Sequence, residues 1–417
     1  MTVTSAPTHP QRSGRVGRYR NPATVLSWDE PLPPGTAVEP VMLATDDRAA
    51  TSGTLYTVPG AQRVVALMHP RVDFTHHYLV PPLLGRGLAV FTQRGRWVNN
   101  DVGLVHERLL LDIAAAHRWL RKRGFGDVAL LGNSGGASLY CLYAQQAALA
   151  PERRLDSDPA GARVHLSGDL PVPRWLILLA PHPGQGDMLM HHIDPSVTDE
   201  DDPGSCDPAL DLYDSANGFA EPPEPSSYGD DFLARYREAQ RSRVARIDER
   251  ARWMLAERRG LAASPDPADR RRSAAASYIV VHRTDADPRA VDLSLDPSGR
   301  DYGSIFGVKP EVTNRGAVGF GRLSTPEAWL STWSGLSTRA AIRLTAPDIQ
   351  VPTLLIGYTA DNTVYPGDLG AIQSALAADD LTRVDVDGDH YGLSPDHSSR
   401  PGGSAVADLV GDWLAAR

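Results

Sequence analysis

Ser134, Asp361 and His390 are the residues of this chain whose types and order fit nucleophilic catalysis. Ser134 stands at the centre of Gly132-Asn133-Ser134-Gly135-Gly136, between the apolar run Val128-Ala129-Leu130-Leu131 and the helix-compatible stretch Ala137-Ser138-Leu139-Tyr140. That is a strand, a sharp turn and a helix with serine at the apex. Bulky neighbours would clash at such a turn, so small residues must flank it. The next N–H, at Gly135, would open the helix, where hydrogen bonding and the helix dipole stabilise a developing oxyanion.

A serine hydroxyl is a poor nucleophile until a base accepts its proton. Two later strand ends supply candidates. The run Thr353-Leu354-Leu355-Ile356-Gly357 leads into Asp361, and the strand at 382–386 leads into Asp387-Gly388-Asp389-His390. His390 must present one ring nitrogen to the serine while the other donates to a carboxylate. Asp361 is the preferred acid, because Asp387 and Asp389 are too near in sequence to aim back at the imidazole. The chain order is then serine, acid, histidine.

These residues need a frame. Residues 38–43 and 53–58 read as a β-hairpin, 64–68 and 88–91 as buried strands, and 102–123 as a helix with Leu109, Ile113, Ala116 and Leu120 on one face. Residues 128–131 and 175–180 are further strands, and a helix follows the Ser134 turn to about residue 150. Continuous apolar strands alternating with helices predict a mostly parallel sheet covered on both faces. Between residues 183 and 348 the pattern breaks into Pro-, Asp-, Glu- and Arg-rich sequence. That stretch holds the acidic run 199–202, a long helix over 230–259 stopped by Gly260, and a small hairpin pairing 278–281 with 291–295. Strand 353–357, a helix over 367–378, strand 382–386 and a final helix with Val406, Leu409, Val410, Trp413 and Leu414 on one face resume the pattern.

Through the elbow at 132–136, His69-Pro70 after the third strand, the Asp361 loop and Gly388-Asp389-His390, the chain resembles the α/β-hydrolase superfamily. The resemblance covers residues 36–182 and 349–417. It implies an α/β fold of the eight-stranded type, flanked by helices, with residues 183–348 inserted after strand six as a large, mainly helical lid. Residues 1–35 read as a flexible N-terminal arm. The resemblance places one oxyanion donor at Gly135 and the other just after the third strand. Pro70 has no N–H, so Arg71 is the expected second donor, with Val72 behind it.

The expected activity is that of a carboxylic ester hydrolase or lactonase acting through an acyl-enzyme, without a cofactor. Hydrolysis of a carbon–carbon bond in a diketone-like compound would use the same three residues, as would thioesterase, amidase or peptidase chemistry; a silent binding protein on the same scaffold is a further alternative. Val72, His76, His77, Trp97 and His182 lie on loops at the strands' carboxyl ends and are candidate pocket residues. Trp329 and Trp333, with Phe306 and Phe320, suit an aromatic wall for an apolar substrate, although a satellite core of the lid explains them equally well. His191, His192 and Asp194 lack the spacing of a metal site, so no metal is expected.

Composition bounds the partners. The chain has 417 residues, 41% of them hydrophobic, and a net charge of −9, which argues against a nucleic-acid surface. Only Lys122 and Lys309 are lysines. Two cysteines, Cys141 and Cys206, do not make a disulfide framework, and no apolar run reaches about 18 residues. The first 20 residues lack the apolar stretch of a secretory signal. The expectation is a cytoplasmic enzyme with a small-molecule substrate, without nucleic-acid or membrane partners; oligomeric state, homo-oligomers included, is open.

Overall fold

The computed structural model describes residues 26–28 and 30–417. The rest of the expected N-terminal arm lies outside the described residues. Within that arm, Leu26 is buried and Trp28 stands edge-on to Tyr56 and His76, so this part packs against the core.

Ten strands are present among the described residues: β1 (Ala37–Ala44), β2 (Ala50–Thr57), β3 (Val64–His69), β4 (Ala89–Arg94), β5 (Val128–Asn133), β6 (Trp175–Leu179), β7 (Ile279–Val280), β8 (Leu323–Ser324), β9 (Thr353–Tyr358) and β10 (Leu381–Val386). Eight form one sheet in the order β1-β2-β4-β3-β5-β6-β9-β10. The β1–β2 and β2–β4 pairs are antiparallel, and every later pair is parallel.

The central strands are apolar throughout because both faces are covered. Alternate residues point to opposite faces. Val64, Ala66 and Met68 of β3 join the core under helices His106–Lys122, Gly135–Ala148 and Pro366–Ala375. Val65 and Leu67 join the core beneath Val80–Gly85 and Pro401–Ala415. Six parallel strands thereby end on one edge, and Ser134, His182, Asp361 and His390 all follow strand ends there.

The segment between β6 and β9 builds two cores of its own. One gathers Met188, Val244, Ile247, Ala251, Phe306, Phe320, Trp329 and Trp333; the other gathers Leu212, Tyr228, Phe232 and Tyr236. Its long helix runs Asp230–Ala263, past Gly260. What stops it is Pro265, which disfavours the helical region for Ser264 and leaves it extended at ψ 141°. The acidic run is an anchor for this helix. Glu200 takes Arg243 through two bonds of 2.7 and 2.6 Å, and Asp201 pairs with Arg250. The expected hairpin pairs differently: β7 meets β8 antiparallel. Residues 291–295 form no strand, because the Asp287 side chain caps the turn Pro288–Ala290 and the chain bends there. Among the described residues, no helix is long and apolar enough to cross a membrane.

Candidate active site

The elbow is built by close backbone approach. Ser134 has φ 57° and ψ −126°, outside the regions open to most residues. A Cβ on Gly132 would stand 2.5 Å from Ala137 Cα, and one on Gly136 would stand 2.2 Å from the Met68 carbonyl oxygen. Only glycine fits where β5, the following helix and β3 crowd together. The strain is held from β6: Ser134 N–H and the Asn133 side-chain amide both donate to the Leu179 carbonyl, at 3.0 and 3.1 Å. His77 braces Asn133 Oδ1 from the other side at 3.1 Å. Burial pushes the His77 imidazole down to about 3, so it is neutral there.

Ser134 Oγ lies 3.1 Å from His390 Nε2, and His390 Nδ1 lies 2.8 Å from Asp361 Oδ2. Asp361 is fixed through its other oxygen, which accepts from Thr363 N and Val364 N at 2.8 and 3.0 Å. Asp389 instead accepts from Tyr391 N and Leu393 N, and Asp387 bonds Thr359. Asp361 therefore faces the imidazole and the nearer aspartates do not.

A second imidazole touches the serine. His182 Nε2 is 2.9 Å from Ser134 Oγ, and its ring stacks on His390 at 5.4 Å and 28°. The backbone delivers it: Ala180 adopts φ 41° at the end of β6, and His182 N–H bonds the Ser134 carbonyl at 3.0 Å. The proton positions follow. A carboxylate only accepts, so His390 carries its proton on Nδ1 and leaves Nε2 open to the serine hydroxyl. That hydroxyl has one proton, so His182 must donate to it from Nε2. His182 Nδ1 is buried and has no hydrogen-bond partner among the described residues, which suits a bare lone pair better than an orphaned N–H.

The loop after β3 corrects the expected oxyanion donor. Arg71 N–H and Val72 N–H both turn back to His69 Nδ1, at 3.1 and 3.0 Å. Neither is left for substrate, because Pro70 tightens the turn and brings the next two N–H groups onto the ring that precedes it. Gly135, by contrast, opens its helix as expected, and no backbone acceptor among the described residues takes its N–H. A Cβ on Gly135 would meet Gln185 Nε2 at 1.8 Å and His69 Nε2 at 2.9 Å, so both side chains press on this residue.

No protein-family model matches the chain, and no curated protein matches it. Solved structures similar to it include the esterase domain of a Rhodothermus marinus protein, at 11% identity and TM-score 0.42, covering 91% of this chain and 98% of that one. An esterase of Pyrococcus furiosus aligns at 12% identity and TM-score 0.43, covering 98% and 97%. An alpha/beta hydrolase from Penicillium sp. aligns at 10% identity and TM-score 0.46, covering 91% and 97%. The strand order, with its antiparallel first edge and a serine elbow after the fifth strand, decides the matter. The chain has the α/β-hydrolase fold.

Above the elbow of this α/β-hydrolase fold lies a mostly apolar cavity. Leu26, Val72, Phe74, Ile305, Phe306, Phe320 and Tyr391 line it, with His69, Arg71, Asn133, Ser134, His182 and Gln185 as its polar part. Val72 and His182 are thus where the sequence put them. The other expected pocket residues lie elsewhere. His76 is exposed against Trp28, and His77 is buried beneath the elbow. Trp97 packs on the core behind Arg96. Trp329 is buried and donates to Asp248 at 2.7 Å, and Trp333 is buried behind Phe320 with the Arg71 guanidinium 4.9 Å over its ring. Both tryptophans belong to the satellite core, and Phe306 and Phe320 make the aromatic wall.

Gln185, Phe74, Ile305 and Tyr391 escaped the sequence reading, since nothing local distinguishes them from ordinary helix-start and core residues. His69 did carry a signal, as the last residue of β3. His191 contacts Arg289 at 3.1 Å and Asp194 contacts Asn314 at 2.8 Å. Among the described residues, no group of three or more metal-ligating side chains gathers.

Proposed function

We propose that this chain is a serine hydrolase that cleaves a carboxylic ester or lactone of a partly apolar small molecule. The observation that carries the reading is the unbroken contact line Ser134 Oγ–His390 Nε2–Asp361 Oδ2, at 3.1 and 2.8 Å, on a strained elbow. Ser134 attacks the carbonyl carbon while its proton passes to His390 Nε2. The tetrahedral adduct collapses, and His390 returns the proton to the departing alkoxide. Water, deprotonated by the same nitrogen, then releases the acid. Asp361 holds the ring in the required tautomer and offsets the imidazolium charge.

The apolar cavity supports an apolar acyl or alcohol portion shielded from bulk water. The segment between β6 and β9 supplies Ile305, Phe306 and Phe320 to that cavity, which supports its role as a lid. An ethoxy fluorophosphonate probe tests the reading. Labelling of Ser134, lost in Ser134→Ala along with turnover of p-nitrophenyl butyrate, is the expected result; undiminished turnover in Ser134→Ala removes it.

A further inference from the structure

Arg71 and Val72 spend their backbone N–H groups on His69 Nδ1, so that nitrogen is an acceptor. The ring is 6% exposed, and burial together with the nearby Arg71 guanidinium holds its pKa well below the usual value, which keeps it neutral. A neutral imidazole with a bare Nδ1 carries its proton on Nε2. No protein acceptor among the described residues takes that N–H. His69 lines the cavity beside Ser134, and its Nε2 lies 2.9 Å from where a Cβ on Gly135 would be. Gly135 is also the residue whose N–H heads the helix. One N–H unpaired among the described residues thus faces the cavity next to the nucleophile, and it stands close to the residue whose N–H heads the helix.

We propose that the Nε2–H of His69 is the second oxyanion donor, a side-chain group standing where Arg71 and Val72 have withdrawn theirs. This rests on the serine hydrolase reading. As the Ser134 Oγ–carbon bond forms, the carbonyl π pair moves onto oxygen, and Gly135 N–H and His69 Nε2–H bind that oxygen. The serine proton goes to His390, so His69 keeps its own throughout. A neutral imidazole suits the task, since its N–H polarises a carbonyl without giving the proton away. His69 is then a catalytic residue, and the two backbone bonds to Nδ1 are what aim it.

His69→Asn separates this role from bracing of the loop. The asparagine Oδ1 overlays Nδ1 and still accepts from Arg71 and Val72, while nothing replaces Nε2–H. With p-nitrophenyl butyrate, kcat should fall about 10²–10³-fold with KM little changed, the loss typical of one oxyanion donor. Affinity for an alkyl trifluoromethyl ketone, whose serine adduct bears an oxyanion, should fall in parallel, with the thermal midpoint nearly unmoved. His69→Gln, which can reach the Nε2 position, should recover part of kcat. If His69→Asn keeps kcat and ketone affinity, or if only Gln185→Leu loses them, the assignment is wrong. Should His69→Asn fail to fold, ¹⁵N-histidine NMR of the unaltered protein decides. A His69 Nε2–H resonance moving downfield on ketone binding supports the proposal, and an Nδ1–H tautomer or an unmoved resonance overturns it. An unaltered protein inert to ketone and fluorophosphonate would sink the hydrolase reading itself, whereas reactivity equal in both forms removes only His69.

Discussion

His182 Nε2 lies 2.9 Å from Ser134 Oγ, closer than His390 Nε2 at 3.1 Å. Two imidazoles therefore touch one hydroxyl, and their second nitrogens decide which is the base and which the donor. His390 has Asp361 behind it; His182 Nδ1 is buried with no partner among the described residues. Burial and the neighbouring His390 hold the His182 pKa well below the usual value, so it is a poor proton acceptor. His182→Phe should lower kcat/KM only about tenfold, the worth of one neutral hydrogen bond. His390→Phe should cost about 10⁴–10⁶-fold. Steady-state kinetics on p-nitrophenyl butyrate test this, and a loss at His182 matching that at His390 would show that His182 is not a mere donor to the hydroxyl.

Asp361→Asn offers a test of tautomer control. The Thr363 and Val364 N–H groups hold Oδ1, so an asparagine keeps its oxygen there and turns its NH₂ toward His390 Nδ1. That nitrogen must then accept, which moves the ring proton to Nε2 and blocks uptake of the serine proton. We expect kcat to fall about 10⁴-fold. The thermal midpoint should change little, because packing is preserved. A loss of only a few-fold would mean that Asp361 does not set the tautomer.

Alternation of apolar strands with helices made the sheet legible, because burial on both faces leaves β3, β5 and β6 apolar up to the carboxyl ends of β3 and β5, where His69 and Asn133 stand at the site. The elbow was legible for a related reason: the clash awaiting a Cβ at Gly132 is with Ala137, inside the turn itself. The oxyanion loop was not. Whether Arg71 N–H faces substrate or His69 depends on a turn that Pro70 permits but does not dictate. The tryptophans misled because a large aromatic side chain fits a core and a pocket wall equally well. Only the packing partners, Asp248 for Trp329 and Arg71 for Trp333, tell them apart.

Stability should depend on pH through Glu107, which ties the inserted segment to the core. Its Oε2 accepts from Ser331 Oγ at 2.6 Å, in the π-helical turn Trp329–Trp333, while Oε1 is buried with no partner among the described residues. Burial raises its pKa from 4.5 to about 7, and Ser331 offsets part of that rise. A raised acid pKa means that the folded state holds the proton more tightly than the unfolded chain does. Stability is therefore full below about pH 4.5 and declines as pH rises to about 7, by up to about 3 kcal/mol. Urea unfolding at pH 5 and pH 8 should show that decline, and Glu107→Gln should flatten it. An unchanged pH slope in the variant would rule Glu107 out as its source.

Gly135 and Gly136 are adjacent, yet alanine should fail differently at each. At Gly136 the new Cβ would sit 2.2 Å from the Met68 carbonyl oxygen, which cannot move without disturbing β3. Overpacking of this kind costs about 1–3 kcal/mol, so Gly136→Ala should lower the thermal midpoint by several degrees. At Gly135 the obstacles are the Gln185 amide, at 1.8 Å, and His69 Nε2, at 2.9 Å, both at the ends of side chains. Gln185 can swing aside at little cost in stability, but His69 is pushed off the line that its Nδ1 bonds define. Gly135→Ala should accordingly keep most of its thermal midpoint and lose at least about tenfold in kcat, the cost of one misaligned oxyanion donor being 10²–10³-fold at the limit. Measuring both quantities on both variants separates the cases. A Gly135→Ala enzyme with full kcat would show that the His69 nitrogen is not held against the reacting carbonyl.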